Sequence, residues 1–256
     1  MGLIRLREDT FRHHLCGEGV VAMNEEITRL DSPIDVMCLI HRAMAAYAAT
    51  VEREATRIEV RGSLQPFRSA FNEWASALLH LSEVEVELLT TSLRRCLPGG
   101  ELGEQIERQM RAVAPSGTDE EGQAEQQVMK TMAAYSEEEH RELVEKLQDV
   151  LEVLDGEIGR QSVIDRTRQH LYVRVLALRV AQDDHIENER AFVLPLLRRA
   201  IGEPEQLDMA RRLLIDEGSE SPDWILQWVA RKLGPGERGV LADLEARIRK
   251  PPLSAA

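Results

Sequence analysis

The sequence predicts an all-α fold: an antiparallel up-down-up-down four-helix bundle with extra C-terminal helices. Three observations predict it. Leu, Ala, Glu, Arg and Val abound, while aromatic residues make up only 4% of the chain, a composition of long helices and not of a β-sandwich. Four stretches repeat apolar residues at spacings of three and four, the period of a helix face. Proline, glycine and serine punctuate the intervals between them, leaving mostly short connections of the kind that join antiparallel neighbours.

Taken in order, residues 1–30 form a mixed polar segment that ends at Asp31-Ser32-Pro33. Ser32 followed by Pro33 is a helix start, a capping hydroxyl ahead of a first-turn proline. The first helix is expected to run from there to about Arg61, where Gly62 stops it. The second is expected from about Pro66 to Leu97, ended by Pro98-Gly99-Gly100. A looser segment follows over 99–120, with a short helical piece from Glu104 to Val113 and a turn at 115–117. The third helix spans about Glu120 to Asp155, broken by Gly156 and Gly159. The fourth spans about Ser162 to Ala200, closed by Gly202 and Pro204. Beyond it, Ser221-Pro222-Asp223 starts a helix from Trp224 to Leu233, and a last one covers Gly239 to Arg249. Trp224, Ile225, Trp228 and Val229 give the first of these an apolar face that docks on the bundle. The domain reading is therefore an N-terminal segment (1–30), a four-helix bundle (31–201) and a C-terminal helical extension (202–256).

Charge narrows the partners. The formal net charge is −13, from 32 basic against 45 acidic residues. A phosphate backbone or an anionic membrane surface selects the opposite sign. No uninterrupted apolar run reaches membrane-spanning length, and the N-terminus carries no secretory signal pattern. The three cysteines, Cys16, Cys38 and Cys96, are odd in number and widely spaced. They suit reduced thiols in the cytoplasm, not a disulfide framework or a zinc knuckle.

The chemistry lies in the seams. The first helix carries Ile34, Met37, His41, Met44, Ala48, Val51 and Ala55; the third carries Met129, Ala133, Ser136, His140, Leu143, Leu147, Val150 and Leu154. The fourth carries Leu171, Val175, Leu178, Gln182, His185, Glu189, Phe192 and Leu196. In each, a histidine interrupts an apolar stripe. The second helix has Phe67, Phe71, Trp74, Leu78, Leu81, Glu85 and Leu88, with His80 one residue off the stripe. His41 and His80 stand about 20 and about 17 residues from their shared turn, and His140 and His185 about 17 and about 23 from theirs, so at about 1.5 Å per residue all four sit at similar heights. One buried histidine is ordinarily a hydrogen-bonded core residue. Four of them, with Glu85 and Glu189 on two of the seams, cost several kcal/mol to bury unless a cation holds them, and bundle cores are an established place for such sites.

"LIHRAM", "LLHLSEVEVELL", "SEEEHRELVEKL" and "HIENERAFVLPLL" together resemble the hemerythrin-like (HHE cation-binding) family. The last segment, with His185, Glu189 and Pro195, matches best. The resemblance covers about residues 31–201, and the C-terminal "WILQWVARKLGPGERGVLADLEAR" looks like an extension found in some members. It implies two non-haem irons in an antiparallel bundle, with His41, His80, His140 and His185 as terminal ligands and Glu85 and Glu189 as bridges. It further implies O₂, NO or peroxide as the small ligand or reactant. Whether turnover makes the protein an enzyme is left open, as is assembly beyond one chain, with a homodimer as one arrangement. Met37, Met44, Trp74, Leu78, Phe192 and Leu196 are expected to line the pocket.

The chain departs from the family twice. Four residues after His80 stands Val84, not a glutamate; aligning "EVEVELLTTSL" with "ENERAFVLPLL" sets Glu85 opposite Glu189 and Leu81 opposite His185. Glu83 is the alternative carboxylate. The third helix lacks the second histidine of the oxygen carriers, since Ser136 and Val144 flank His140 at that spacing, which favours an open coordination position over simple oxygen carriage. Glu137 is a further candidate ligand, and Tyr47 and Tyr135 are candidates for groups near the pocket. The alternative function is a metal-poor or single-metal (Fe or Zn) bundle acting as a sensor or interaction module. His170, about 22 Å along the helix from His185, reads as a surface residue, and His13 and His14 as solvated.

Overall fold

The computed structural model describes residues 26–60, 62–90, 119–156 and 164–250, with the backbone alone for 89, 90 and 119–135. Among these residues every regular element is helical and there is no strand. Four long helices carry the molecule: α1 (Val36–Thr56), entered through a 3₁₀ turn at Pro33–Asp35, α2 (Gln65–Glu85), α3 (Asp119–Asp155) and α4 (Asp165–Asn188). Two of them widen at their ends. α2 passes into a π turn at Val86–Thr90, and α4 into a π turn at Glu189–Val193 followed by α5 (Leu194–Ala200). Then come α6 (Glu203–Leu214), α7 (Trp224–Lys232) and α8 (Pro235–Ile248).

α1 packs on α2 and α4, α3 packs on α4, and α2 meets α3 mainly through its π turn, so the long helices close a ring of contacts. The seams face inward. Met37, Met44, Val51, Phe71, Trp74, Leu78, Leu81, Leu143, Leu147, Val150, Leu171, Val175 and Leu178 are all buried. A hydrogen bond crosses the interior, from Trp74 Nε1 on α2 to Gln182 Oε1 on α4 at 2.8 Å. Both side chains are fully buried, so this bond satisfies an indole N–H that burial alone would strand.

The scarce aromatics are placed where elements must be fastened. Phe67, Phe71 and Trp74 form a ladder along α2, with ring centroids 5.9 Å and 6.4 Å apart. Trp228 of α7 stacks on Tyr47 of α1 at 4.2 Å, which docks the C-terminal helices as their apolar face led one to expect. Ile225, Trp228 and Val229 are buried, and Trp224 is half-buried. The core is continuous from α1 to α8. Glu237, buried at the start of α8, accepts hydrogen bonds from the Gly234 and Ile27 N–H groups and pairs with Arg42 of α1.

Several ends differ from expectation. α1 stops at Thr56, short of Gly62. The helical stretch closes at Ala200 as expected, but Gly202 and Pro204 also start α6, which was not expected: Gly202 is its N-cap and Pro204 lies in its first turn, with Glu203 and Glu205 there and Arg211 and Arg212 in the last turn. Both charge placements favour the helix dipole. The last helix begins at Pro235, not Gly239. The expected helical piece from Glu104 to Val113, the turn at 115–117 and Cys16, Cys96, His13 and His14 lie outside the described residues.

The Pro33–Thr56 stretch is long and apolar enough to cross a membrane by length and mean hydropathy, 1.3 over its best window, yet 67% of that window is buried inside the protein. Its apolar character is that of a core helix. Cys38, on this helix, is a half-buried free thiol, and burial raises its pKa.

Candidate metal centre

Each long helix delivers a side chain to one buried cluster. α1 contributes His41, α2 ends in Glu85, α3 contributes His140, and His185 leads to Glu189 where α4 widens. All five are 3% exposed or less. His41 Nε2 lies 2.9 Å from Glu189 Oε2, and His140 Nε2 lies 3.3 Å from Glu85 Oε2. His185 Nε2 stands between the carboxylates, 3.7 Å from Glu85 Oε2 and 3.7 Å from Glu189 Oε2. Each glutamate thus sits between two imidazoles. Glu85, His140, His185 and Glu189 offer ligand atoms all within 4.8 Å of one another, and the His140 and His185 rings meet edge to face at 4.4 Å.

The outer nitrogens show how two of the rings are aimed. His140 Nδ1–H donates to the Ser136 carbonyl at 2.7 Å. His185 Nδ1–H donates to Glu139 Oε2 at 3.4 Å, and Asn188 Nδ2 holds the other oxygen of that carboxylate at 2.6 Å. A ring that donates from Nδ1 keeps the Nε2 lone pair for a cation, the arrangement seen around metal-bound histidines. Glu139, adjacent to His140 on α3, was not anticipated from the sequence. Its position in a run of three glutamates resembles a solvated face, and only the partners Asn188 and His185 on α4 distinguish it.

Several polar atoms of the cluster are buried without a hydrogen-bond partner: His41 Nδ1, His185 Nε2, Glu85 Oε1 and Glu189 Oε1. Each such atom is expensive to bury. Without a cation, proton charge must serve. Burial opposes ionisation of Glu85, but the hydrogen bond from His140 and the neighbouring His185 imidazole outweigh it and hold its pKa down at about 2. Burial likewise disfavours the imidazolium of His140, yet Glu85 raises its pKa. His185 rises well above the ordinary value, because Glu189, Glu139 and Glu85 overcome its desolvation. Two carboxylates facing three imidazoles form a donor set of nitrogen and oxygen that suits iron or zinc.

His80 does not join. The structure turns it outward to α6 and α7, with Nδ1 3.7 Å from Asp216 Oδ2 and its ring edge-to-face with Trp224 at 5.3 Å. The expected fourth imidazole is thereby corrected. In an α-helix His80 and Glu85, five apart, diverge by about 140°, and α2 widens only after Glu85. Glu85 is inside, whereas Glu83 and Glu137, the alternative carboxylates, are exposed. Tyr47 is also not in the cluster: its hydroxyl lies 3.4 Å from Glu73 and 3.3 Å from the Trp228 carbonyl, and burial with the Glu73 charge raises its pKa to about 12. The side chain of Tyr135 lies outside the described residues. Met37, Met44, Trp74 and Leu78 are buried as expected, but Phe192 is 36% exposed and Leu196 half-buried. The cause is the π turn, which adds a residue and moves the inward seam to Val193 and Leu197. His170 is exposed.

No family model matches this chain, and neither the curated proteins nor the solved structures contain a significant relative.

Proposed function

We propose that this chain is a hemerythrin-like protein: its long helices run up and down as an antiparallel bundle around two non-haem irons, and the centre binds or reacts with O₂, NO or peroxide. The observation that carries this reading is the convergence of three imidazoles and two carboxylates whose buried atoms lack partners. His41, His140 and His185 would be terminal ligands. Glu85 and Glu189, each between two imidazoles, would be the bridges, and Glu139 would hold His185 in the ligating tautomer. Iron bound there supplies one-electron chemistry and a position for a small ligand. The chain's own part is to exclude water with Met37, Met44 and Leu78 and to keep the three Nε2 atoms aimed inward. A cytoplasmic setting fits the odd, scattered cysteines.

The test is anaerobic reconstitution with Fe(II), desalting and metal analysis, followed by optical spectra on exposure to O₂, NO or peroxide. Two irons per chain and a spectrum that responds to one of these molecules are expected; fewer than about one iron per chain sinks the reading.

One observation favours a second reading. Among the described residues, Glu85, His140, His185 and Glu189 form the group close enough to share a single ion, leaving His41 hydrogen-bonded to Glu189. A mononuclear iron or zinc site gives one metal per chain and keeps it when His41 is replaced by alanine.

A further inference from the structure

α4 carries apolar residues on its outward side as well as on its inward seam. Its outer face carries Val173, Leu176 and Val180, exposed at 60%, 37% and 51%. Their spacing of three and four puts them in one stripe. Ion pairs border the stripe on both sides, Arg174 with Asp149 of α3 at 2.6 Å and Arg179 with Glu52 of α1. Scattered exposed valines need no explanation, but a bordered stripe on a single helix does.

The ends of this face carry opposite charge. Arg166 lies toward the start of α4, and Asp184 and Glu187 lie toward its end; all three are exposed and have no ion-pair partner among the described residues. At 100° per residue, Arg166, Gln169, Val173, Leu176, Ala177, Val180, Asp184 and Glu187 fall within a sector of about 100°. The order is self-complementary. When two copies lie antiparallel about a twofold axis between positions 176 and 177, Val173 meets Val180, Leu176 meets Ala177, Gln169 meets Asp184 and Arg166 meets Glu187. The symmetry repeats each pair. A parallel arrangement sets Arg166 on Arg166 and Glu187 on Glu187, which repel.

We propose that the outer face of α4 is the interface at which two copies of this chain pair antiparallel. The argument is independent of any metal, since it uses residues on the side of α4 opposite His185 and Glu189. A single helix face is at the small end of specific interfaces, so the dimer is a reversible one of micromolar strength.

Sedimentation velocity of the full chain across the micromolar range tests it. A monomer–dimer equilibrium is expected, weakened about tenfold or more by Val180→Asp at the centre of the stripe. Arg166→Glu and Glu187→Arg are each expected to weaken it about two- to fivefold, and the double variant R166E/E187R to restore it. Circular dichroism checks that the variants remain folded. A chain that stays monomeric throughout overturns the proposal. So does a dimer indifferent to Val180→Asp, and a double variant no tighter than either single one overturns the antiparallel register.

Discussion

α2 and α4 solve the same local problem with one difference. Each runs with its apolar seam inward to a buried glutamate, Glu85 or Glu189, and each widens into a five-residue π turn at that point. In α4 a reason is visible: Pro195 has no N–H to donate to the carbonyl four residues back, so the preceding turn must adjust. α2 has no such proline near its turn, yet it widens at the equivalent place, and π turns gather at functional sites. The difference lies four residues before the glutamate. α4 has His185 there and α2 has Leu81, fully buried. The cluster is therefore lopsided: His140 and His185 stand together on one side, and His41 stands alone beside Glu189.

The strongest way to break this comparison is to remove a carboxylate. Glu189→Leu takes away the one group that touches both His41 and His185. Metal content is expected to fall to background. Without metal the variant is expected to melt below the metal-free parent, because His41 and His185 lose the carboxylate they share and are left buried without it. Metal analysis and chelator-treated melts decide it; a variant that keeps the parent's metal content places the metal elsewhere.

Next in size is Glu139→Gln. It keeps the size of the side chain but removes the charge that holds His185 Nδ1, and loss of such a partner costs about 10- to 100-fold in metal affinity. Competition with a chromogenic chelator measures this. Equal affinities would reduce Glu139 to a surface residue.

The pH dependence should then separate metal-free from metal-bound protein. His140 and His185 have raised pKa values in the folded state. Their contribution to stability is full below the unfolded value of about 6.5 and is lost as pH rises through the folded values. Glu85, held low, contributes above its unfolded value, and that contribution disappears only as pH falls toward about 2. Metal requires neutral imidazoles, so its affinity rises over the same range in which the metal-free protein weakens. The stabilisation that metal confers on the melting temperature is expected to grow as pH rises from the unfolded imidazole value of about 6.5 through the raised folded values. A gain independent of pH places the metal elsewhere.

The sequence disclosed the helices and most of the cluster through periodicity, since an imidazole or carboxylate on an otherwise apolar stripe is conspicuous. His41, Glu85, His140, His185 and Glu189 all lie on such stripes. It did not disclose the π turns, because a spacing argument assumes a constant pitch; Phe192 was therefore assigned to the interior that Val193 occupies. α6 was overlooked because Gly202 and Pro204, read as an ending, serve equally as a beginning. Height along the helices brought His80 into the set although its angle was wrong. Equal height is a weaker constraint than direction, and direction was already recorded in its position beside the seam.

Two substitutions on α2 sharpen the contrast with α4. Leu81→His supplies the imidazole that α4 has at this point. It costs the metal-free protein about 1–3 kcal/mol for a buried polar ring, and it is expected to raise metal affinity or occupancy by completing the poorer side of the cluster. His80→Leu is the smallest test and the most discriminating. This side chain is partly exposed against Asp216 and Trp224, so its loss is expected to shift stability by less than about 1 kcal/mol and to leave metal content at the parent level. If iron disappears with His80 while Leu81→His gains nothing, α2 must turn in solution to present its histidine after all, and the two helices are more alike than their seams imply.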